Sequence, residues 1–82
     1  MSVQNNVKLL RKSTGISQKA VAQYLNLSEM QYWRIENDQA KLDVDCLREI
    51  AKFLNINIDI FFDDELTKIV IKEREASYST YS

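Results

Sequence analysis

The stretch from Ser17 to Asn37, SQKAVAQYLNLSEMQYWRIEN, decides the fold. Ser17 and Ser28 each follow an aliphatic residue, Ile16 and Leu27, and each opens a run with apolar residues at helical spacing. A serine oxygen at a helix start accepts a bond from an otherwise unpaired N–H of the first turn, worth about 1 kcal/mol. The residue five positions after each aliphatic one is also apolar, Val21 and Tyr32, the arrangement of a hydrophobic staple. Gln31, three residues after Ser28, completes a capping box. Asn26 stands in the turn, where a left-handed backbone is wanted and Asn tolerates it. Tyr32 and Trp33 are neighbours, and neighbours on a helix point about 100° apart, so only one can face the core. The staple selects Tyr32, with Ile35 three positions on. Trp33 then turns outward, on the side of Met30 and Asn37, where a large flat apolar group can lie along a sugar-phosphate edge of DNA or anchor a protein partner.

The same aliphatic-plus-cap dipeptide recurs at Leu42-Asp43 and Ile56-Asn57, with staple partners Leu47 and Phe61. An earlier helix carries Val7 and Leu10, with Val3, on one face and leaves through Thr14-Gly15. Helices are thus expected at about 3–13, 18–25, 29–36, 44–54 and 58–63. Core stripes are Val21, Ala22 and Leu25 in the second, and Leu47, Ile50, Ala51 and Leu54 in the fourth, with Cys46 and Phe53 at the margin. With 82 residues, no Pro and one Gly, the chain is expected to form one small all-α domain.

Several function classes drop out. There is no His and a single Cys, which removes disulfides, Cys/His zinc sites and His-based acid/base chemistry. No nucleophile stands with a base, so an enzyme is not expected; nor are a cofactor, a metal or a small-molecule ligand. No apolar run of about 18 residues and no basic-then-apolar leader is present, so neither membrane insertion nor export is indicated and a cytoplasmic protein is expected. The net charge of −1 conceals a gradient. Residues 1–41 hold six basic groups (Lys8, Arg11, Lys12, Lys19, Arg34, Lys41) against Glu29, Glu36 and Asp38, giving +3, and residues 42–82 hold five basic against nine acidic, giving −4. One end can face a polyanion while the other repels it.

The two capped helices joined at Asn26-Leu27 have helix-turn-helix spacing. Residues 7–62 resemble the Cro and phage-repressor (XRE) helix-turn-helix family. The resemblance rests on Leu10-Arg11, Gly15-Ile16-Ser17-Gln18, Val21-Ala22, Ile35-Glu36-Asn37 and Ile50-Ala51 in joint register. It implies a five-helix lambda-repressor-like DNA-binding domain over residues 1–64, with the helix-turn-helix at about 17–36. The remaining residues, 65–82, form a short C-terminal extension. The resemblance also implies a transcriptional regulator, a repressor, that binds double-stranded DNA as a homodimer with helix 29–36 in the major groove. Ser17, Gln18, Asn37 and Lys41 correspond to backbone contacts, with Ser28 and Gln31 at the groove wall. Glu29, Met30 and Arg34 occupy base-facing positions, with Gln31 beside them, and Arg11 with Glu36 resembles the family's structural ion pair.

This chain departs from the family pattern in three places. Asp38 replaces the usual glycine after Asn37 and adds a negative charge near the expected phosphate. Glu29 repels phosphates but can accept from cytosine N4, and Met30 offers apolar contact such as to a thymine methyl. Arg34 is left as the residue able to read guanine with two bonds. The alternative function is a protein-interaction module on the same fold, antitoxin-like or an adaptor, with Met30 and Trp33 as its apolar patch. In the extension, Leu66, Ile69 and Val70 share a helical face, while the β-branched run TKIVIKE, Thr67 to Glu73, suits a strand equally. Either form exposes an apolar strip for dimerisation or a partner unless it packs back on the fifth helix. The end SYSTYS, Ser77 to Ser82, is low in complexity and is expected to be mobile.

Overall fold

A computed structural model describes residues 2–81, with side chains described for residues 2–75. Five α-helices follow one another: α1 (Val3–Thr14), α2 (Gln18–Tyr24), α3 (Glu29–Glu36), α4 (Val44–Leu54) and α5 (Asp64–Tyr81), with a 3-10 turn at Ile58–Phe62 between α4 and α5. No strand occurs among the described residues.

The starts of these elements are made by the capping side chains. Ser17, Ser28 and Asp43 each accept from the N–H three residues on, and Asn57 from the N–H two residues on. At Ser28 the capping box is complete: Ser28 Oγ accepts from the Gln31 N–H at 3.1 Å, and Gln31 Oε1 accepts from the Ser28 N–H at 2.8 Å. The exits share a second device. Gly15, Asn26, Asp38 and Asn55 have φ of +76°, +59°, +61° and +56°. At Asn26, Asp38 and Asn55 the next residue's N–H reaches back to close a wider loop: Leu27 to the Ala22 carbonyl, Gln39 to Arg34 and Ile56 to Ala51. This Schellman arrangement satisfies carbonyls that the helix itself cannot pair.

The core forms where the stapled residues converge. Val7, Leu10, Val21, Ala22, Tyr32, Leu47, Ile50, Ala51, Leu54, Ile56 and Phe61 are buried together, and Ile35 is buried as well. Tyr32, at 0% exposure, lies inside and Trp33, at 38%, lies outside, which settles the choice between the two adjacent aromatics. Leu25, Cys46 and Phe53 are half-buried, with Phe53 stacked on Tyr24 at 4.5 Å between ring centroids.

Two details at the C-terminal end go beyond the sequence expectation. The expected helix at 58–63 is present as a short 3-10 helix, Ile58–Phe62, and the extension adds a fifth α-helix after it. The cause is a second cap: Asp63 Oδ1 accepts from the N–H groups of Glu65 and Leu66, restarting the chain as α5 before the turn can lengthen. The segment TKIVIKE, which suits either form, is helical. It packs back on α1, with Thr67 fully buried and donating to the Ile60 carbonyl at 2.7 Å, while Val70 and Ile71 lie against the core. Leu66 and Ile69, on the other side, are exposed. The backbone of α5 continues to Tyr81, and the expected mobility of the end falls on residues whose side chains lie outside the described ones.

Candidate nucleic-acid interface

The turn at Asn26-Leu27 sends α3 away from α2 with its inner face fixed and its outer face bare. Tyr32, Ile35 and Glu36 are buried, whereas Glu29, Met30, Gln31, Trp33 and Arg34 are exposed. Ser17 and Ser28, at the starts of α2 and α3, are exposed as well, and so is Lys41 in the loop that follows. Gln18 and Asn37 are half-buried.

Behind this face Glu36 gathers three helices onto one carboxylate. Arg11 of α1 donates Nε to Oε2 at 2.6 Å and Nη2 to Oε1 at 3.1 Å, and its Nη1 donates to the Ile16 carbonyl at 2.8 Å. Tyr32 donates its hydroxyl to Oε2, and Gln18 of α2 donates Nε2 to Oε1 at 3.1 Å. Burial alone pushes the Glu36 pKa up, but the bonds from Arg11, Tyr32 and Gln18 outweigh it and hold the carboxyl below the usual glutamate range. The Tyr32 hydroxyl moves the other way, raised well above an ordinary tyrosine by burial first and by its bond to Glu36 second. Glu36 is thus a framework group, enclosed and ionised, rather than part of the contact face.

A family model described as helix-turn-helix matches residues 7–61 of the chain. The chain belongs to the helix-turn-helix family. It is of the Cro/repressor-like (XRE) type, a DNA-binding transcription regulator. Comparison with curated proteins and with solved structures gives no match.

Within this helix-turn-helix the individual side chains are less free than their exposure suggests. Gln31 has its carbonyl oxygen committed to the capping box, which leaves its Nε2 as the group it can offer outward. Asn37 donates Nδ2 to the Trp33 carbonyl at 2.8 Å, which leaves one further side-chain N–H to donate. Gln18 likewise has one N–H on Glu36 and one to spare. Among the described residues, Arg34 and Lys41 are exposed cations that form no ion pair. Asp38 adopts the left-handed backbone that glycine would take, and its carboxylate lies 3.5 Å from Ser2 Oγ.

One supporting residue was not foreseen from the sequence. Gln4 of α1 donates Nε2 to the carbonyls of Ile35 and Ala40, both at 2.8 Å, and so ties the loop carrying Asn37, Asp38 and Lys41 to the body of the domain. Nothing in the local pattern marks it, because the partners are backbone carbonyls more than 30 residues away. Tyr32 to Glu36, by contrast, is an i, i+4 pair on one helix face, a spacing that could have signalled the hydroxyl bond.

Proposed function

We propose that the protein is a sequence-specific regulator, a repressor, that binds double-stranded DNA as a homodimer and reads the major groove with the exposed side of α3. The observation that carries this is the division of α3: Tyr32, Ile35 and Glu36 anchor the helix while Glu29, Met30, Gln31 and Arg34 point away from the core. Arg34 supplies the two-bond contact to a guanine, Gln31 donates from the groove wall, and Glu29 and Met30 meet pyrimidine edges. Ser17, Gln18, Ser28, Asn37 and Lys41 hold the sugar-phosphate backbone, with the N-terminus of α2 adding its own N–H groups.

For the dimer, the supporting observation is a stripe on the outer side of the C-terminal region. Leu66 and Ile69, three residues apart on α5, are 42% and 48% exposed, and Phe62, in the 3-10 turn before it, is 58% exposed. Glu65, Lys68, Lys72 and Glu73 flank this stripe with both signs of charge, which suits pairing with a second copy. Two helix-turn-helix units related in this way would meet successive major grooves on one side of the duplex.

The test compares Arg34→Ala with Gln18→Ala on a selected site and on random duplex at two salt concentrations. Arg34→Ala is expected to lose discrimination, and Gln18→Ala to weaken both duplexes alike. Equal losses for both variants on both duplexes would refute the division of labour. A second reading, a protein-interaction module, is favoured by the exposure of Met30 and Trp33. It predicts no DNA binding even at low salt, where counterion release makes a DNA binder tightest.

A further inference from the structure

On the outward side of α3 a shallow cleft of about 270 Å³ is lined by Gln18, Glu29, Met30 and Trp33. Its chemistry differs from that of the phosphate-facing residues around it. Met30, at 57% exposure, and Trp33, at 38%, supply apolar walls one helical turn apart. No cation lines the cleft, and its one charge is the Glu29 carboxylate, so the part between Glu29, Met30 and Trp33 disfavours a phosphate, while Gln18 keeps its second N–H for the proposed backbone contact. Apart from the indole N–H, the donor in the cleft is the Gln18 amide, which already gives one N–H to Glu36.

The four bases offer different matches to an apolar recess beside an acceptor. Guanine presents two acceptors in the major groove, and adenine pairs its N6 donor with the N7 acceptor. Thymine carries the C5 methyl group but sets an O4 acceptor next to it, whereas cytosine presents the N4 donor beside a nonpolar C5–H. An apolar wall plus a carboxylate therefore suits a methyl group and an exocyclic amine. We propose that this cleft is a pocket for the C5 methyl group of a pyrimidine, with Glu29 at its rim accepting from a cytosine N4 amino group. This rests on the proposed major-groove reading by α3 and sharpens it. On ordinary DNA the two features come from a thymine and a neighbouring cytosine. On methylated DNA one 5-methylcytosine supplies both, so binding through this cleft responds to cytosine methylation.

The experiment starts from a duplex selected by the full chain out of a random pool. Each thymine in a half-site is replaced in turn by deoxyuridine, and each cytosine by 5-methylcytosine, and the dissociation constant is measured at fixed salt for wild type, Met30→Ala and Glu29→Gln. Met30 and Glu29 are exposed, so neither substitution threatens folding. At one position per half-site, losing the thymine methyl should weaken wild type, or gaining the cytosine methyl strengthen it, by about fourfold, the ratio for one buried methyl group. The two replacement series tell which base supplies the methyl. In Met30→Ala that ratio should fall to near one, and in Glu29→Gln the preference for cytosine at the rim should relax. A selected duplex insensitive to every methyl change, or a methyl effect that survives undiminished in Met30→Ala, would overturn the pocket while leaving DNA reading by α3 intact. Failure to select any duplex would overturn both.

Discussion

Removing the guanidinium of Arg11 tests how much of the fold depends on the buried Glu36 centre. The Glu36 side chain is 0% exposed and that of Arg11 8%, so neither charge has water to fall back on. In Arg11→Met the carboxylate keeps two neutral donors, Tyr32 and Gln18, but loses its counter-charge and two of its hydrogen bonds. Stripping one partner from such a pair costs about 3–5 kcal/mol. A domain of this size has a total stability of roughly 4–12 kcal/mol at typical values per residue. The single variant should therefore lose at least about a quarter of the wild-type stability. Removing both charges, in Arg11→Met with Glu36→Leu, should recover most of the loss, because an apolar replacement avoids desolvating either ion. What remains is the Tyr32 hydroxyl, buried without an acceptor, a penalty of about 1–3 kcal/mol. Adding Tyr32→Phe removes it. Urea unfolding followed by far-ultraviolet circular dichroism, with Trp33 fluorescence as the second probe, gives each midpoint. The expected order of stability is triple variant above double above single. A single Arg11→Met variant within 1 kcal/mol of wild type, or below neither of the others, would show that the centre is not the tie described.

Three further outcomes follow from named contacts. Asp38→Gly should raise both thermal stability and DNA affinity, since glycine takes the φ of +61° without strain and the negative charge is removed; Asp38→Asn should raise affinity alone, and unchanged affinity in both would place this loop away from DNA. The pH profile should fall at both ends. Glu36 is held below the usual range when folded, so its contribution is complete above the unfolded pKa and is lost as pH drops through the folded value, and Glu36→Gln should flatten that acid limb. Tyr32 is raised when folded, so above about pH 10 its hydroxyl ionises only in the unfolded chain and stability declines; Tyr32→Phe should blunt this alkaline limb in equilibrium unfolding, and an unchanged limb would show that Tyr32 does not set it. Leu66→Lys with Ile69→Lys should convert a dimer to monomer in analytical ultracentrifugation without lowering helix content, because both side chains are exposed in the single chain. A dimer that survives would put the interface elsewhere.

The helix starts were legible because capping is a local matter. Ser17, Ser28, Asp43 and Asn57 accept bonds from N–H groups two or three residues away, and a pattern over six residues contains the whole interaction. Tyr32 inside and Trp33 outside followed from the same pattern, since the staple fixes the phase of the helix. At the C-terminal end two local signals overlap, so the type of helix there was not legible. Asn57 opened one turn and Asp63 another six residues later, and the second cap ended the first element as a 3-10 turn. Long-range polar ties were the least legible. The Arg11–Glu36 pair came from the family resemblance, but the Gln4 clamp and the bonds of Asn6 to the Phe61 carbonyl and Asp64, both 2.9 Å, span more than 30 residues with no periodic trace. They depend on where helices cross, which propensity does not encode.

Gln18 is where the framework and the proposed DNA face share one side chain. One amide N–H bonds Glu36, and the other is placed by that bond at the start of α2, where a phosphate would come. The buried carboxylate thus restrains the rotamer that a backbone contact needs, lowering the entropy lost on binding. Gln18→Ala leaves Glu36 with the bonds from Arg11 and Tyr32, so the fold should change little while binding weakens on every sequence. Gln18→Glu has the same length but sets a second carboxylate about where the amide now lies, 3.1 Å from Glu36 Oε1, and faces the phosphate with the same charge. It should lose both stability and affinity, with the stability loss reversed by acid enough to protonate the new carboxyl and the affinity loss eased by salt less than wild-type binding is weakened by it. If Gln18→Glu matched Gln18→Ala in stability at neutral pH, the amide would not be held by Glu36 in solution, and Gln18 would reach DNA as a free side chain.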